Sequence, residues 1–314
     1  MAEKVLAGID LGGTKLLAVL VDGEGRVLAS DEQPTYADQG ADRVIGRMVE
    51  LVNGLLGERY ELTGVGVATA GTLNPNGGLI EIATNLGWKD VPLGLELERR
   101  LGVPVTVEND ANAAAYGEWK AGAGVGTQDC VFITVSTGIG GGIVSGGRLV
   151  RGKTASAGEL GHITIDWNGP KCPCGNVGCL ELYASGTAIG RAAAAAAEAD
   201  PIRGAKLLEL AGGVKMTSRH ASEAAKAGDP LAAEVLREAG RALGAGLVSM
   251  VHMANPELII LGGGASHIGE PLLGPMRDML DERVIGSMGR GVRIVPPTLG
   301  TEAGAIGAAL MAGA

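Results

Sequence analysis

One arrangement of strand, glycine turn and strand occurs twice in this sequence, and it constrains the fold more than any other feature. The first turn lies at residues 10–15 and the second at residues 136–142. The strands that flank them are predicted at 5–9, 16–21, 130–135 and 143–145. Neither turn has room for a helix, so the strands of each pair are predicted to be adjacent. Two related halves create a cleft where ligands bind, so the repeat predicts two lobes.

Outside the repeat, helices alternate with short strands, which is the pattern of an α/β protein. The predicted elements are a strand at 26–30, a helix at 41–56, strands at 62–68 and 103–107, a helix at 111–121, a mostly helical region at 187–253 and a strand at 257–261. We predict a small N-terminal α/β lobe at 1–109, joined by the C-terminal helix at 301–314, and a large α/β lobe at 110–300. Asp229-Pro230 is predicted to cap a helix.

Composition excludes several classes of protein. The formal net charge is −9 and the charges are spread along the chain, which argues against nucleic acid as a partner. The first residues lack the pattern of a signal peptide, and no uninterrupted apolar segment approaches the roughly 20 residues of a membrane helix. We therefore expect a cytoplasmic protein with no membrane partner. Because the cytosol keeps thiols reduced, the four cysteines are expected to be metal ligands or core residues.

Three glycine loops have the composition of phosphate-binding loops, in which backbone N–H groups point inward with no side chains in the way. They are Gly12-Gly13-Thr14, Thr137-Gly138-Ile139-Gly140 and Gly262-Gly263-Gly264. A Walker A loop is excluded, because here the order is glycine, threonine, lysine and a strand follows. The sequence also contains no GxGxxG dinucleotide motif. Each loop alone is consistent with an ordinary turn, whereas two paired loops that each carry a threonine favour phosphate binding.

The residues beside the first loop indicate a cation site. Asp10 is either a turn-capping residue or a carboxylate that holds Mg²⁺ through water, and the adjacent phosphate loop favours Mg²⁺. Lys15 begins a strand, where its ammonium group is either near the phosphates or solvated.

Four metal-ligating side chains lie close together in the sequence: His162, Cys172, Cys174 and Cys179. One imidazole and three thiolates are a complete tetrahedral set for one structural Zn²⁺, and the glycines between the cysteines allow tight turns around the ion. If one ring nitrogen of His162 binds zinc, the other becomes a directional N–H donor. The remaining cysteine and histidines are interpreted as packed residues: Cys130, His220, His252 and His267.

In five segments the chain resembles the ROK family of repressors, open reading frames and sugar kinases. The segments are Asp10 to Lys15, Glu108-Asn109-Asp110-Ala111-Asn112, Ser136 to Gly142, Glu159-Leu160-Gly161-His162 and Cys172 to Glu181. They span nearly the whole chain in the family's order and spacing. The resemblance implies an actin-like, ribonuclease-H-like α/β fold whose two lobes close around a sugar and a nucleotide, with ATP and Mg²⁺ as cofactors.

The resemblance gives Asp110 a role that its position alone does not. By position, after a strand and before an alanine-rich helix, Asp110 is predicted to be an N-cap. By resemblance, Asp110 matches the aspartate that accepts the proton of the attacking sugar hydroxyl, so it is the predicted catalytic base.

The resemblance also implies the two substrate sites. A hexose requires planar amide and carboxylate groups that donate and accept in fixed directions, and a glycine lets the backbone approach the ring. The predicted sugar-binding residues are Gly71, Asn85, Asn109, Asp110, Glu159, His162 and Glu181. The predicted ATP- and phosphate-binding residues are Asp10, Gly12, Gly13, Thr14, Lys15, Thr137, Gly138, Gly262 and Gly263.

Within the family, the segments Asn85 to Trp88 and Glu108 to Gly124 are most similar to bacterial glucokinases, which implies phosphorylation of the 6-hydroxyl of glucose by ATP. N-acetylmannosamine kinase, fructokinase and polyphosphate-using glucomannokinase stay open as alternatives. The family's repressors carry an added helix-turn-helix module, and with a first strand that begins by Val5 and a negative net charge we do not expect one. A sugar-responsive regulator without that module is the alternative of a different class. Relatives commonly assemble, which implies a homodimer or homotetramer.

Overall fold

The computed structural model describes residues 2–74, 78–289 and 291–314. Its strands are β1 (Glu3–Leu11), β2 (Lys15–Val21), β3 (Val27–Pro34), β4 (Tyr60–Thr69), β5 (Thr72–Leu73), β6 (Ile80–Ala83), β7 (Trp88–Val91), β8 (Val105–Asn109), β9 (Cys130–Val135), β10 (Ile139–Ser145), β11 (Arg148–Leu149), β12 (Leu258–Gly262) and β13 (Arg293–Val295). Its helices are α1 (Ala41–Leu56), α2 (Leu93–Leu101), α3 (Asp110–Ala121), α4 (Glu181–Ala184), α5 (Gly186–Ala199), α6 (Ala205–Ala211), α7 (Ser218–Lys226), α8 (Pro230–Ala254), α9 (Glu270–Arg283), α10 (Gly286–Gly289) and α11 (Ala303–Ala312). Short 3₁₀ helices lie at Ala37–Gln39, Leu160–His162, Gly264–Ile268 and Gly300–Glu302.

The first five-stranded sheet has the strand order β3-β2-β1-β4-β8. Strands β1, β2 and β3 form an antiparallel meander, whereas β4 is parallel to β1 and β8 is parallel to β4. In this register Asp10 is the partner of Ala68, and Thr69 is the partner of Asn109. The carboxyl ends of β1, β4 and β8 therefore meet at one edge of the sheet, where polar side chains are concentrated.

The second five-stranded sheet repeats the order of the first. Its strands are arranged β11-β10-β9-β12-β13, so that in both sheets the third, second, first, fourth and fifth strands follow one another. A separate three-stranded sheet has the order β5-β6-β7. The predicted duplication of a strand, a glycine turn and a strand is confirmed, and the copies extend to whole sheets.

The chain divides into two compact units. The first unit contains residues 1–132, 142–158 and 295–314, and the second contains residues 133–141 and 159–294. The boundaries fall inside β9 and β10, so each of these strands contributes residues to both units. The lobe boundary predicted from the sequence, at residues 109 and 110, stays a prediction.

The core of the first unit lies on both faces of its sheet. On one face, α1 buries an apolar stripe that includes Val44, Met48 and Val52 against the sheet. On the other face, α11 packs so closely that a Cβ atom at Gly66 of β4 would overlap the carbonyl of Ala308. Here helix and sheet meet through backbone, which explains why α11 is rich in glycine and alanine.

The second unit contains the helical region predicted at 187–253. The predicted cap is confirmed, because the Asp229 carboxylate accepts a hydrogen bond of 2.7 Å from the Ala232 amide and Pro230 is the first residue of α8. Helix α8 ends at Ala254, and the residue that follows, Asn255, has the left-handed conformation and stands just before a proline. No helix within the described ranges combines the length and apolar character needed to cross a membrane.

Most predicted elements are confirmed, with shifts at their ends. Helix α1 has the predicted bounds, and α3 begins one residue earlier than predicted. The strand predicted at 103–107 begins instead at Val105, because the preceding Pro104 has no N–H to donate to the sheet.

Candidate functional site

Two carboxylates come together at the polar edge of the first sheet. Asp10 is near the end of β1 and Asp110 is the first residue of α3, directly after β8. Burial and the negative charge of Asp110 raise the pKa of Asp10 to about 6, against the opposing charge of Lys15. A site that concentrates negative charge in this way, from oxygen ligands, fits a hard divalent cation such as Mg²⁺.

The N-cap of α3 is Asn109, so the interpretation of Asp110 as the cap is wrong. The Asn109 side-chain oxygen accepts hydrogen bonds from the amides of Ala111, at 3.0 Å, and Asn112, at 3.1 Å. The Asp110 carboxylate accepts a bond of 2.8 Å from the Ala111 amide and reaches solvent. Burial by surrounding atoms nevertheless raises the pKa of Asp110. Asn109 is therefore the N-cap of α3, and the Asp110 carboxylate is not needed for capping and can accept a proton.

The first glycine loop is held in place by Thr35, which follows β3. The Thr35 hydroxyl donates a 2.7 Å bond to the Gly12 carbonyl, and its amide donates a 3.0 Å bond to the Thr14 carbonyl. The Gly12 amide donates to the Lys15 carbonyl, which leaves the amides of Gly13 and Thr14 as the loop's donors for a phosphate. The Lys15 ammonium pairs with Glu32 on β3, and both side chains are exposed.

Two of the predicted sugar residues in the first unit have close neighbours. A Cβ atom at Gly13 would lie 2.7 Å from the Asn85 carbonyl oxygen, so the first loop lies directly against Asn85. Gly71 has a φ of +124°, and a Cβ atom there would overlap the Ile82 carbonyl. The packing of Gly71 against β6 therefore requires glycine independently of any sugar.

The second glycine loop contacts Glu181, a relationship the sequence did not predict. The Glu181 carboxylate accepts a hydrogen bond of 2.8 Å from the Ile139 amide, and a Cβ atom at Gly138 would overlap the same carboxylate. On another side, a Cβ atom at Gly161 would overlap the Ile139 carbonyl. Glu181, a predicted sugar ligand, is therefore hydrogen-bonded to the second glycine loop, a predicted phosphate loop, inside the second unit.

A cavity of about 960 Å³ opens beside this loop in the second unit. Its walls include Ser136 and Thr137 of the loop, the start of α5, the 3₁₀ helix Gly264–Ile268 that follows the third glycine loop, and α7. Gly263 has a φ of +87°, and a Cβ atom there would overlap the end of β9. The second and third glycine loops thus border one cavity large enough for a nucleotide.

The sequence assigned none of the charged and basic residues of this cavity to a site. They are one carboxylate, Glu223, and five basic side chains, Lys215, Arg219, His220, Lys226 and His267. They have no motif spacing, and on a helix such charges look like an ordinary solvated face. His220 is half-buried, and its ring accepts a bond from the Thr217 amide at the start of α7. His252 and His267 are exposed, so the interpretation of these two histidines as packed residues is wrong.

The four predicted metal ligands form one cluster. The ligand atoms of His162, Cys172, Cys174 and Cys179 all lie within 4.8 Å of one another. His162 Nδ1 is 3.8 Å from Cys172 Sγ, and Cys174 Sγ is 3.7 Å from Cys179 Sγ. These separations fit four ligands placed about 2.0–2.3 Å from one tetrahedral Zn²⁺.

The electrostatics of the cluster also fit a cation. Burial and the neighbouring thiols raise the pKa of Cys179 to about 12, whereas hydrogen bonding lowers the pKa of Cys174. Three thiolates cannot accumulate at one point without a cation to offset their repulsion, and a bound Zn²⁺ would supply that charge. With Nδ1 facing the thiols, the Nε2 atom of His162 lies 3.9 Å from the Glu159 carboxylate, on the side away from the cluster.

The ROK family model matches residues 6–314 of this chain. The chain belongs to the ROK family. A glucokinase from Streptomyces coelicolor is 40% identical over 308 residues, 97% of this chain and 96% of that protein. The structure of a ROK family glucokinase from Streptomyces griseus, in complex with glucose and AMPPNP, is 40% identical with a TM-score of 0.80 and covers 98% of this chain and 99% of its own. The xylose repressor of Bacillus subtilis is 30% identical over 96% of this chain and 74% of its own length.

Family membership confirms the predicted fold class, the actin-like α/β fold. The predicted sugar residues of the first unit are Gly71, Asn85, Asn109 and Asp110, and those of the second are Glu159, His162 and Glu181. Among the predicted phosphate-binding residues, Asp10 and the first loop lie in the first unit, and the second and third loops lie in the second.

Proposed function

We propose that this ROK protein is an ATP-dependent glucokinase, which transfers the γ-phosphoryl group of ATP to the 6-hydroxyl of glucose. The observation that carries the proposal is the pair Asp10 and Asp110 at one sheet edge, beside a glycine loop that abuts Asn85. The ROK relatives at 40% identity are glucokinases, and the one from Streptomyces griseus was solved with glucose and an ATP analogue.

In this proposal Asp110 is the catalytic base. Its carboxylate accepts the proton of the sugar hydroxyl while that oxygen forms a bond to the γ-phosphorus and ADP leaves. The Mg²⁺ ion, held near Asp10, supplies positive charge to the phosphate oxygens when it is bound. The loop amides around Gly13 and Thr14 donate to the phosphates. Because Asn109 caps α3, the direction of the Asp110 carboxylate is set by a fixed helix start.

The sugar would be bound by donors and acceptors with fixed directions. The side-chain oxygen of Asn109 caps the helix, which leaves its amide nitrogen to donate to a sugar hydroxyl. His162 would present Nε2 while Nδ1 faces the zinc, and Glu159 lies beside that nitrogen. We include one structural Zn²⁺ per chain in the proposal, since it would fix His162 and the segment that leads to Glu181.

The nucleotide would lie in the cavity of the second unit. Thr137, Gly138, Gly262 and Gly263 belong to the loops around that cavity, and its basic side chains favour an anionic ligand. The negative net charge argues against nucleic acid as a partner. A cytoplasmic location, where ATP is available and thiols stay reduced, and a homodimer or homotetramer complete the proposal. Light scattering on the purified protein measures the assembly.

The activity is tested by a coupled ADP-release assay with glucose, mannose, fructose, N-acetylglucosamine and N-acetylmannosamine, each with ATP and with polyphosphate. We expect the highest kcat/KM for glucose with ATP. A preference for another hexose or for polyphosphate would mean that the protein is a sugar kinase with a different substrate or phosphoryl donor. Glucose binding without turnover of any sugar would contradict the proposal and favour a sugar-responsive regulator.

A further inference from the structure

The buried side chain of Glu108 connects to three places around the start of α3. Its carboxylate is only 5% exposed. One oxygen accepts bonds from the Asn109 amide, at 3.0 Å, and from the Asn112 side chain, at 3.2 Å. The other oxygen accepts a 2.6 Å bond from Nε of Arg151. Glu108 therefore holds the backbone just before Asp110, through the Asn109 amide, and the side chain of Asn112 just after it.

Arg151 is the first residue of a loop that precedes Glu159, a predicted sugar ligand. Its carbonyl accepts a bond of 3.1 Å from the Ala157 amide, which closes residues 151–157 into a compact loop. The preceding residue, Val150, donates its amide to Ile143 of β10. The chain then continues through Gly158 to Glu159, a predicted sugar ligand. The ion pair thus ties the helix that carries the base to the loop that precedes a sugar ligand.

Stability alone does not require this charged arrangement. A buried carboxylate has a large desolvation penalty, and a well-packed apolar residue of similar volume usually stabilises a fold at least as well. The Asn112 side chain is fully buried, and its oxygen has no hydrogen-bond partner among the described residues, so the network is not fully satisfied. The network does fix orientations. One carboxylate accepts three bonds, and these hold the backbone at Asn109, the side chain of Asn112 and the guanidinium of Arg151.

We propose that Glu108 is a positioning residue for phosphoryl transfer, acting through Asn109 and Arg151 to aim the Asp110 carboxylate. The inference rests on the proposed kinase function. A misplacement of a reacting group by about 1 Å can lower the rate on the order of 100-fold. The side chain of Asn109, the sugar ligand next to Asp110, is held by its bonds with the Ala111 and Asn112 amides, so contacts to the sugar should change less. Loss of Glu108 is therefore expected to lower kcat much more than it raises the KM for glucose.

The test compares Glu108→Gln, Arg151→Met and the double variant in steady-state kinetics. Glu108→Gln keeps the size of the side chain but turns an amide toward Arg151, and we expect kcat to fall about 10- to 100-fold with KM for glucose within about threefold of wild type. The double variant should lose no more than Glu108→Gln alone, because both changes break the same bond.

A second buried glutamate, Glu118 of α3, provides the matched control. Glu118 accepts bonds from the amides of Thr298 and Leu299 at the other end of the helix. Glu118→Gln should lower the Tm but leave kcat near wild type at a temperature where the protein is folded. Equal losses of kcat in Glu118→Gln and Glu108→Gln would mean that Glu108 only stabilises α3, and would overturn the proposal.

Hydrogen exchange separates this inference from the proposed activity. In Glu108→Gln, we expect faster exchange at the Asn109 amide and across residues 151–157, and the Glu118→Gln control should not show it. Unchanged exchange at these amides would refute the network, whatever the enzyme turns over. If the wild type had no kinase activity but exchange changed as expected, the positioning network would stand and the proposed function would fail.

Discussion

Asp10 lies beside Asp110, and burial together with the negative charge of Asp110 raises the pKa of Asp10 to about 6. An acid whose folded-state pKa is raised lowers the stability of the fold wherever it is ionised. The ligand-free protein is therefore destabilised at neutral pH by the ionised Asp10, first through its burial and second through repulsion from Asp110, and a divalent cation bound to the pair would offset both. The arrangement is consistent with a site shaped by catalysis and not by stability.

Replacement of Asp10 by asparagine should stabilise the protein in the absence of Mg²⁺ and nucleotide. Above pH 6 the carboxylate is ionised in both folded and unfolded states, so the variant gains at most about 3 kcal/mol from roughly two pKa units. As the pH falls from 6 to 4 the folded wild type takes up a proton and the difference shrinks, and below about pH 4 it disappears. Urea unfolding at pH 7.5 and pH 4 measures it, and the same variant should have lost most of its kinase activity.

Asp22 gives a control of opposite sign. Burial alone would raise the pKa of Asp22, but hydrogen bonds from the backbone and side chain of Arg26 outweigh it and hold this pKa below its usual value. Asp22→Asn should therefore destabilise the protein at pH 7.5, and its effect should fade as the pH falls. If Asp10→Asn destabilised the protein at pH 7.5 as Asp22→Asn does, the account of the carboxylate pair would be wrong.

Asp110→Asn should lower kcat by about 10² to 10⁴, the range for loss of a general base, and leave glucose binding nearly unchanged. Because the cap of α3 is Asn109, this variant should not lower the Tm. Removal of the charge that raises the pKa of Asp10 should instead raise the Tm of the ligand-free protein at neutral pH. Steady-state kinetics, calorimetric titration with glucose and a thermal melt measure the three quantities.

Asn109 supplies the comparison for that prediction. Asn109→Ala removes the cap and should cost about 1 kcal/mol of stability, whereas Asn109→Asp keeps a capping oxygen and should recover most of it. A Tm loss in Asp110→Asn as large as that in Asn109→Ala, with kcat retained, would return Asp110 to a structural role.

The parts of the fold that depend on neighbouring residues could be predicted from the sequence. Each pair of strands was predictable because the strands flank a turn too short for a helix, and the metal-ligand cluster was predictable because three cysteines lie within eight residues. The cap of α3 was assigned one residue too late, since asparagine and aspartate are both preferred caps and either fits the start of the helix.

Contacts between distant residues were not predictable. Glu181 and Ile139 are separated by 42 positions, and no local pattern links a glutamate at the start of α4 to an amide of the second loop. The basic wall of the cavity was also missed, because α7 carries charges of both signs, as an ordinary solvated helix does. Only tertiary structure brings these groups to one site.

The purified protein should contain one zinc ion per chain. Cys174→Ser should lower the zinc content toward zero, because it removes one of four ligands. The KM for glucose should rise, since His162 and the segment leading to Glu181 lose their anchor. Elemental analysis and steady-state kinetics measure both.

Cys130 is the matched cysteine outside the cluster. It is buried in β9, so Cys130→Ala should keep full zinc content and a KM near wild type. A protein stripped of metal by a chelator that still bound glucose with wild-type affinity would contradict the link between the cluster and the sugar site.

Glu181 should affect both substrates. If its carboxylate braces the second loop as well as binding the sugar, Glu181→Ala raises the KM for ATP and the KM for glucose. Gly138→Ala should resemble it, because the added Cβ atom would overlap the Glu181 carboxylate and push it from the Ile139 amide. Kinetics at saturating levels of the other substrate separate the two KM values.

The double variant Glu181→Ala/Gly138→Ala shows whether the two changes raise KM through the same contact or through separate ones. With Glu181 shortened to alanine, the space that Gly138→Ala needs is already open, so the second change should add little. Two independent effects would multiply instead. Alternatively, an ATP KM unchanged in Glu181→Ala would mean that the carboxylate serves the sugar alone, and that the bond to the Ile139 amide leaves the position of the phosphate loop unaffected.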